Sequence, residues 1–261
     1  MAKVLNPDRV IDDFQNRLTD AEDRYQEVYS AVGGSSTAKH LPLRKGLTTD
    51  LAFRIGTEWE LFQHRWHIAA ISKQPARFAQ LQQEVLDTAL KKNSDVRHIL
   101  NSISPNATTV PARLKVEQID ALIDPDGFNV TFSDPKAWAD KAAKHLSAEY
   151  AQKVLGVVSD PEAHCVLILA KAVRNVIAHG SSLSRGEFNR AVRTARDLRS
   201  PGLKGARNEP LSRAGERDIA DPAVYLHAWI NDHGMRRVGY LAARLRTIAD
   251  QLRIEARDDE A

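Results

Sequence analysis

Four polar residues carry the densest concentration of reactive chemistry in this chain: Lys171, Arg174, Asn175 and His179. At about 100 degrees per residue, Lys171, Asn175 and His179 follow one another along one helical stripe, with Arg174 on its flank. An imidazole titrates near neutral pH, so it can take a proton from a hydroxyl or give one to a leaving oxygen. A guanidinium stays charged and can hold two oxygens of a phosphate while negative charge builds in a transition state. Asn175, one turn before His179, can orient the ring or the anion through its amide. The set fits proton transfer beside a bound anion.

Spacing poses a difficulty. Arg174 and His179 are five positions apart, about 140 degrees around an uninterrupted helix, which is awkward for two groups that must meet at one phosphate. Gly180 followed by Ser181-Ser182 predicts a helix stop that lets His179 leave helical geometry. A second protomer bringing its own copy of the pair is the other route.

Positioning these groups requires a helix surrounded by others, and the segment from Ala163 to Val173 is apolar on nearly every side, as such a helix must be. Asn6-Pro7, Asp134-Pro135, Asp160-Pro161 and Asp221-Pro222 each read as a helix start: the Asn or Asp side chain caps free amides, and proline suits the first turn. The first helix carries Ile11, Phe14, Leu18, Ala21, Tyr25, Val28 and Val32 in steps of three and four before Gly33-Gly34-Ser35-Ser36. A second is expected from Thr48 or Thr49, with Trp59, Phe62, Trp66 and Ile68 to Ala70 mainly on one side, and a third from Pro75. Residues 92–112, rich in Asn, Ser, Thr and Pro, read as a loop, and Phe128 to Phe132 as one short extended segment. Further helices are expected from Pro135 to Leu155, from Pro161 to Ala178, from Phe188 into a basic stretch, and from Pro222 to Leu252. The fold class is therefore all-α, a helical bundle with additional N- and C-terminal helices. Residues 1–44 form the N-terminal helix and linker, 45–200 the helical core, and 201–261 a basic loop and a C-terminal helix packing on the same domain.

Bulk properties restrict the function classes. The longest apolar run, Cys165 to Ala170, is far short of the roughly 18 residues a membrane span needs. The first ten residues lack the layout of a secretory signal, so the chain reads as cytoplasmic. Its single cysteine, Cys165, excludes a zinc finger and an intrachain disulfide. Net charge is +3, but Arg185 to Arg217 holds nine basic residues against four acidic ones. Such a stretch can follow a phosphate backbone, or be a solvated surface loop. No glycine loop of the phosphate-cradling kind is present.

The Arg174-Asn175-x-x-x-His179 pattern at the end of a buried helix, followed by Gly180, resembles the signature of HEPN-domain ribonucleases, and within them the RiboL-PSP-HEPN-like bacterial branch. Weaker likeness lies in Glu58-Trp59-Glu60, in Asn129-Val130-Thr131 and in Ser184-Arg185-Gly186-Glu187. The resemblance implies a HEPN-like core over residues 45–200 and a metal-independent endoribonuclease of toxin-antitoxin or anti-phage defence type. In it, Arg174, Asn175 and His179 are catalytic, with Glu58, Glu60 and Lys171 as accessories. It further implies attack by a 2'-hydroxyl, leaving a 2',3'-cyclic phosphate and a 5'-hydroxyl without any cofactor. Two copies pair as a homodimer, and an antitoxin or another defence-system protein restrains them. Arg185, Arg190, Arg193 and Arg196 are then the expected RNA-binding groups.

Two other readings stand beside this one. Glu60, His64 and His67 share a face at metal-ligand spacing, so a helical metal-dependent hydrolase with further ligands from His145, His164 or His233 is the second enzyme class. A HEPN-like module that binds RNA, nucleotide or protein without turnover is the third.

Overall fold

The computed structural model describes residues 4–32, 40–104, 106–125, 132–197, 203 and 218–254. Among these are eleven α-helices and one two-stranded sheet, so the fold is all-α with one short extended element. All four Asx-Pro pairs begin helices: α1 (Pro7–Ala31), α6 (Pro135–His145), α8 (Pro161–His179) and α10 (Pro222–His227). The cause is local capping. Asn6 Oδ1 accepts from the Asp8 amide at 3.0 Å, Asp134 from Ala137 at 2.8 Å, Asp160 from Glu162 and Ala163 at 3.2 and 3.3 Å, and Asp221 from Ala223 at 2.9 Å.

The chain divides into two compact units. The first comprises residues 1–10, 63–155 and 253–261. It contains the end of α2 (Leu41–Lys73), α3 (Ala76–Lys92), α4 (Ser94–Ile103), α5 (Val116–Ile123), α6 and most of α7 (Ala148–Ser159). Its core is aromatic: the Trp66 ring meets the edges of Trp138 and Tyr150 at centroid distances of 6.4 and 5.8 Å. Phe78 on α3 is buried as well, and α3 packs on α6.

The second unit comprises residues 11–62 and 156–252. Ile11, Phe14, Leu18, Ala21 and Tyr25 are buried as the stripe requires, while Val28, one turn later, is exposed. Phe14 stacks on Phe62 at 4.6 Å and meets Trp59 at 5.5 Å, which joins α1 to α2. Helix α8 packs against α9 (Ser182–Asp197), α10 and α11 (Arg237–Asp250). Buried Asn189 on α9 ties the returning chain by accepting from the Ile219 amide at 2.7 Å and donating to its carbonyl at 3.3 Å.

Several boundaries differ from the sequence expectation. Helix α2 starts at Leu41, not near Thr48, with Pro42 in its first turn where proline is tolerated. Residues 94–103, expected as loop, form α4, whose apolar Val96, Ile99 and Ile103 repeat at helical spacing amid polar neighbours and remain exposed. The single helix expected over 135–155 is two, parted at Leu146 and Ser147. Helix α9 begins at Ser182, six residues before Phe188, where the Ser184 amide donates to Ser181 Oγ at 3.2 Å. The helix expected from Pro222 to Leu252 stops at His227. A hairpin of β1 (Trp229–Ile230) and β2 (Met235–Arg236) follows, antiparallel, with Gly234 at φ 61 closing its turn. That positive φ suits glycine, and a helix cannot contain it. The extended segment expected at Phe128 to Phe132 has only Phe132 within the described residues.

Candidate functional site

Helix α8 is what makes the site possible. Ala163, Cys165, Val166, Leu167, Leu169, Ala170, Ala172, Val173 and Val176 are buried, so nearly every face of its middle is fixed by packing. Only its last turn emerges. Arg174 and Asn175 are half-buried, and Ala178 and His179 are exposed. Gly180 at φ 57 ends the helix, its amide donating to the Val176 carbonyl at 3.0 Å. Arg185 from the next helix donates Nε to the Gly180 carbonyl at 3.2 Å.

Arg174 is held from two sides. Its Nη1 donates to Asn175 Oδ1 at 3.1 Å, and its Nη2 faces Glu60 Oε2 at 3.6 Å. Its Nε is buried with no hydrogen-bond partner among the described residues. Helix α2 comes this close because position 56 is glycine: a Cβ there would stand 2.6 Å from Arg174 Cβ and 3.1 Å from its Cγ. The pattern reading missed Gly56, although a glycine inside a helical stripe costs about 1 kcal/mol relative to alanine and so marks close approach.

The accessory residues separate. Glu60 reaches Arg174, whereas Glu58 turns to Arg17 at 3.4 Å and to Arg54 at 4.0 Å. Lys171 is half-buried on α8, two turns before His179. His179 does not leave helical geometry as expected, since α8 includes it and the stop falls on Gly180. The angle of about 140 degrees between Arg174 and His179 therefore persists within one chain. Asn175 links the two directions, bonded to Arg174 and one turn below His179 on the same stripe. Among the described residues His179 has no hydrogen-bond partner.

Of the arginines expected to meet RNA, Arg185 caps α8, Arg193 pairs with Asp218 at 2.9 Å, and Arg190 is exposed. The Arg196 side chain lies outside the described residues, as do Arg199, Lys204, Arg207, Arg213, Arg217 and Asn129-Val130-Thr131.

The metal set read from spacing does not assemble. Glu60 faces Arg174, His64 Nε2 faces Asp120 Oδ1 at 3.3 Å, and His67 Nε2 lies 3.1 Å from His145 Nδ1. The other two expected ligands are also engaged: His164 donates to the Val158 carbonyl at 3.2 Å, and His233 stacks on Tyr240 at 4.4 Å. Steps of four and three residues put the three on a shared face, but neighbouring elements drew each side chain to its own partner. The group with metal-ligand proximity among the described residues is a different one, His64 with Asp120 and Asp124. Burial, then His145 and the charges of Lys141 and His64, pushes His67 down to about 3. Burial with Lys141 and Lys144 takes His145 down to about 4. Both rings are neutral at neutral pH.

No family model, curated protein or solved structure matches this chain. Among the described residues, no helix is long and apolar enough to cross a membrane.

Proposed function

We propose that the chain is a metal-independent endoribonuclease of the HEPN kind, working as a homodimer. Arg174 holds the scissile phosphate, His179 moves the proton between ribose 2'-hydroxyl and leaving 5'-oxygen, and Asn175 orients them. The observation that carries the reading is the last turn of α8. A helix otherwise buried ends in an exposed histidine, one turn above an asparagine that is hydrogen-bonded to a half-buried arginine.

The angle supports the two-chain form. Arg174 and His179 of one chain diverge by about 140 degrees, so the phosphate lies between Arg174 of one protomer and His179 of the other, and two such sites face each other. Leu183, exposed beside the turn that ends α8, with exposed Ala178, gives this corner apolar surface for a partner copy to cover. Glu60 positions Arg174 in the free protein and yields one guanidinium edge to the phosphate. A restraining partner, an antitoxin or another defence-system protein, is expected of a nuclease that would cut host RNA. The chain works in the cytoplasm.

The test is digestion of total cellular RNA by purified protein in EDTA, with analysis of the new ends. Wild-type cleavage leaving 2',3'-cyclic phosphates and 5'-hydroxyls, absent in Arg174→Ala and His179→Ala, supports the reading. Cleavage that persists in His179→Ala overturns it. One observation favours a second reading, a HEPN-like binding module without turnover: Glu60 already meets the charge of Arg174. That module would bind RNA, lose affinity in Arg174→Ala, and never cut.

A further inference from the structure

The second unit carries a cluster of cations and rings that the site on α8 does not use. Tyr29, near the end of α1, has two guanidiniums against its ring: Arg44 stands 4.8 Å and Arg236 4.9 Å from the ring centroid. Arg236 also sits 5.7 Å from the ring of Trp229, which is exposed. Lys45, next to Arg44, faces Asp221 at 3.8 Å.

The hydrogen bonds of Arg236 fix its geometry without cancelling its charge. Arg236 donates to the His227 carbonyl and to the Tyr29 hydroxyl, each at 2.5 Å, and to His227 Nδ1 at 3.3 Å. An arginine can only donate, so His227 carries its hydrogen on Nε2 and donates it to the Tyr29 hydroxyl at 3.0 Å. Burial, then Arg236, Lys45 and Arg44, brings His227 down to about 4. Every charge acting on that ring is positive. Arg236 has rings, a hydroxyl, an imidazole nitrogen and a carbonyl as partners, and no carboxylate among the described residues. Cation–π contact keeps the full positive charge available to an outside anion.

We propose that β1, β2 and the adjoining Tyr29, Arg44 and Lys45 form a docking surface for a single-stranded nucleic acid. A base stacks on the exposed part of Trp229, and neighbouring phosphates lie against Lys45 and Arg236. An aromatic platform bordered by fixed cations is the combination that holds unpaired strands with little sequence preference. A duplex, with its bases already stacked, offers no face to Trp229. Gly234, at φ 61, closes the turn between β1 and β2, and Trp229 on β1 is exposed.

The choice of RNA as probe rests on the ribonuclease reading, while the surface is argued from its own residues. Fluorescence anisotropy of a labelled single-stranded RNA of about ten nucleotides is measured with the full chain bearing His179→Ala, so that cleavage cannot remove the signal. Adding Trp229→Ala weakens binding about tenfold, and Trp229→Phe restores most of it. Lys45→Gln flattens the logarithmic salt dependence by about 0.7, the loss of one phosphate contact. Far-UV circular dichroism stays that of the parent chain in each case. Unchanged affinity in Trp229→Ala, equal binding of the matching duplex, or no binding by the parent overturns the proposal. RNA digestion judges the ribonuclease reading separately. A chain that cuts while Trp229→Ala binds normally sinks only this proposal, and one that never cuts yet needs Trp229 for binding sinks only the other.

Discussion

The pair His67 and His145 and the single His179 have opposite surroundings in this molecule. His67 and His145 face each other at 3.1 Å, His67 almost wholly buried, beside Phe132 and Phe78, and their surroundings bring them down to about 3 and about 4. At neutral pH they are uncharged packing groups that share a hydrogen bond. His179 stands exposed at the end of α8, with Asn175 one turn below. A histidine does proton chemistry only where both protonation states are accessible near the working pH. The first pair has lost that property to desolvation and neighbouring positive charge. Position relative to solvent, more than proximity of one ring to another, separates the packed pair from His179, the ring proposed for proton transfer.

The largest effects are expected at the end of α8. His179→Ala and Arg174→Ala should each reduce RNA cleavage by about two orders of magnitude or more. The urea midpoint of His179→Ala should stay at the wild-type value, because the exposed ring holds nothing in place. A large drop in that midpoint would put His179 among the packing histidines. Trp66→Ala, in the aromatic core beside His67, should do the reverse. It costs about 3–5 kcal/mol of unfolding free energy, read by urea titration.

Gly56→Ala sharpens the boundary between packing and chemistry. Its Cβ would fall 2.6 Å from Arg174 Cβ, so α2 or Arg174 must shift. The expected cost is about 1–3 kcal/mol of stability, together with a loss of RNA cleavage larger than that destabilisation explains. Full activity in a stable Gly56→Ala chain would show that Arg174 need not sit where it does.

The smallest expected effect is the acid dependence of stability. His67 and His145 have folded values well below the ordinary 6.5, so the unfolded chain takes up their protons first. Stability is therefore unaffected by them above 6.5 and falls as pH drops below it. The loss levels off once the folded rings also protonate, near 4 and then near 3. Each ring adds a slope of up to about 1.4 kcal/mol per pH unit. His67→Gln should remove one ring's share, compared by urea midpoints at about pH 5 and about pH 7. An unchanged slope in that variant would mean that His67 is not held neutral by the fold.

How legible all this was depended on how local its cause is. The four Asx-Pro starts were readable because the cap and the helix it begins are within three residues of each other. Helix α8 was readable because an apolar segment on all sides has to be surrounded. Helix α4 was missed because its polar residues outnumber Val96, Ile99 and Ile103, and the C-terminal break because Gly234 hides in a pattern that otherwise repeats in threes and fours. The stripe of Lys171, Asn175 and His179 followed from helical periodicity alone. The division between Glu58 and Glu60, and the separate partners of His64 and His67, depended on elements far away in sequence: α1, α5, α6 and α8. No spacing rule within α2 contains that information.

In the proposed dimer, Arg174 of one chain works with His179 of another. Arg174→Ala and His179→Ala chains, each inactive alone, should be co-refolded and assayed for RNA cleavage, with mixed dimers verified by mass. Random pairing makes half the dimers mixed, each with one intact site of two, so about a quarter of wild-type activity should return. Mixed dimers that form and yet cut no RNA would contradict the account.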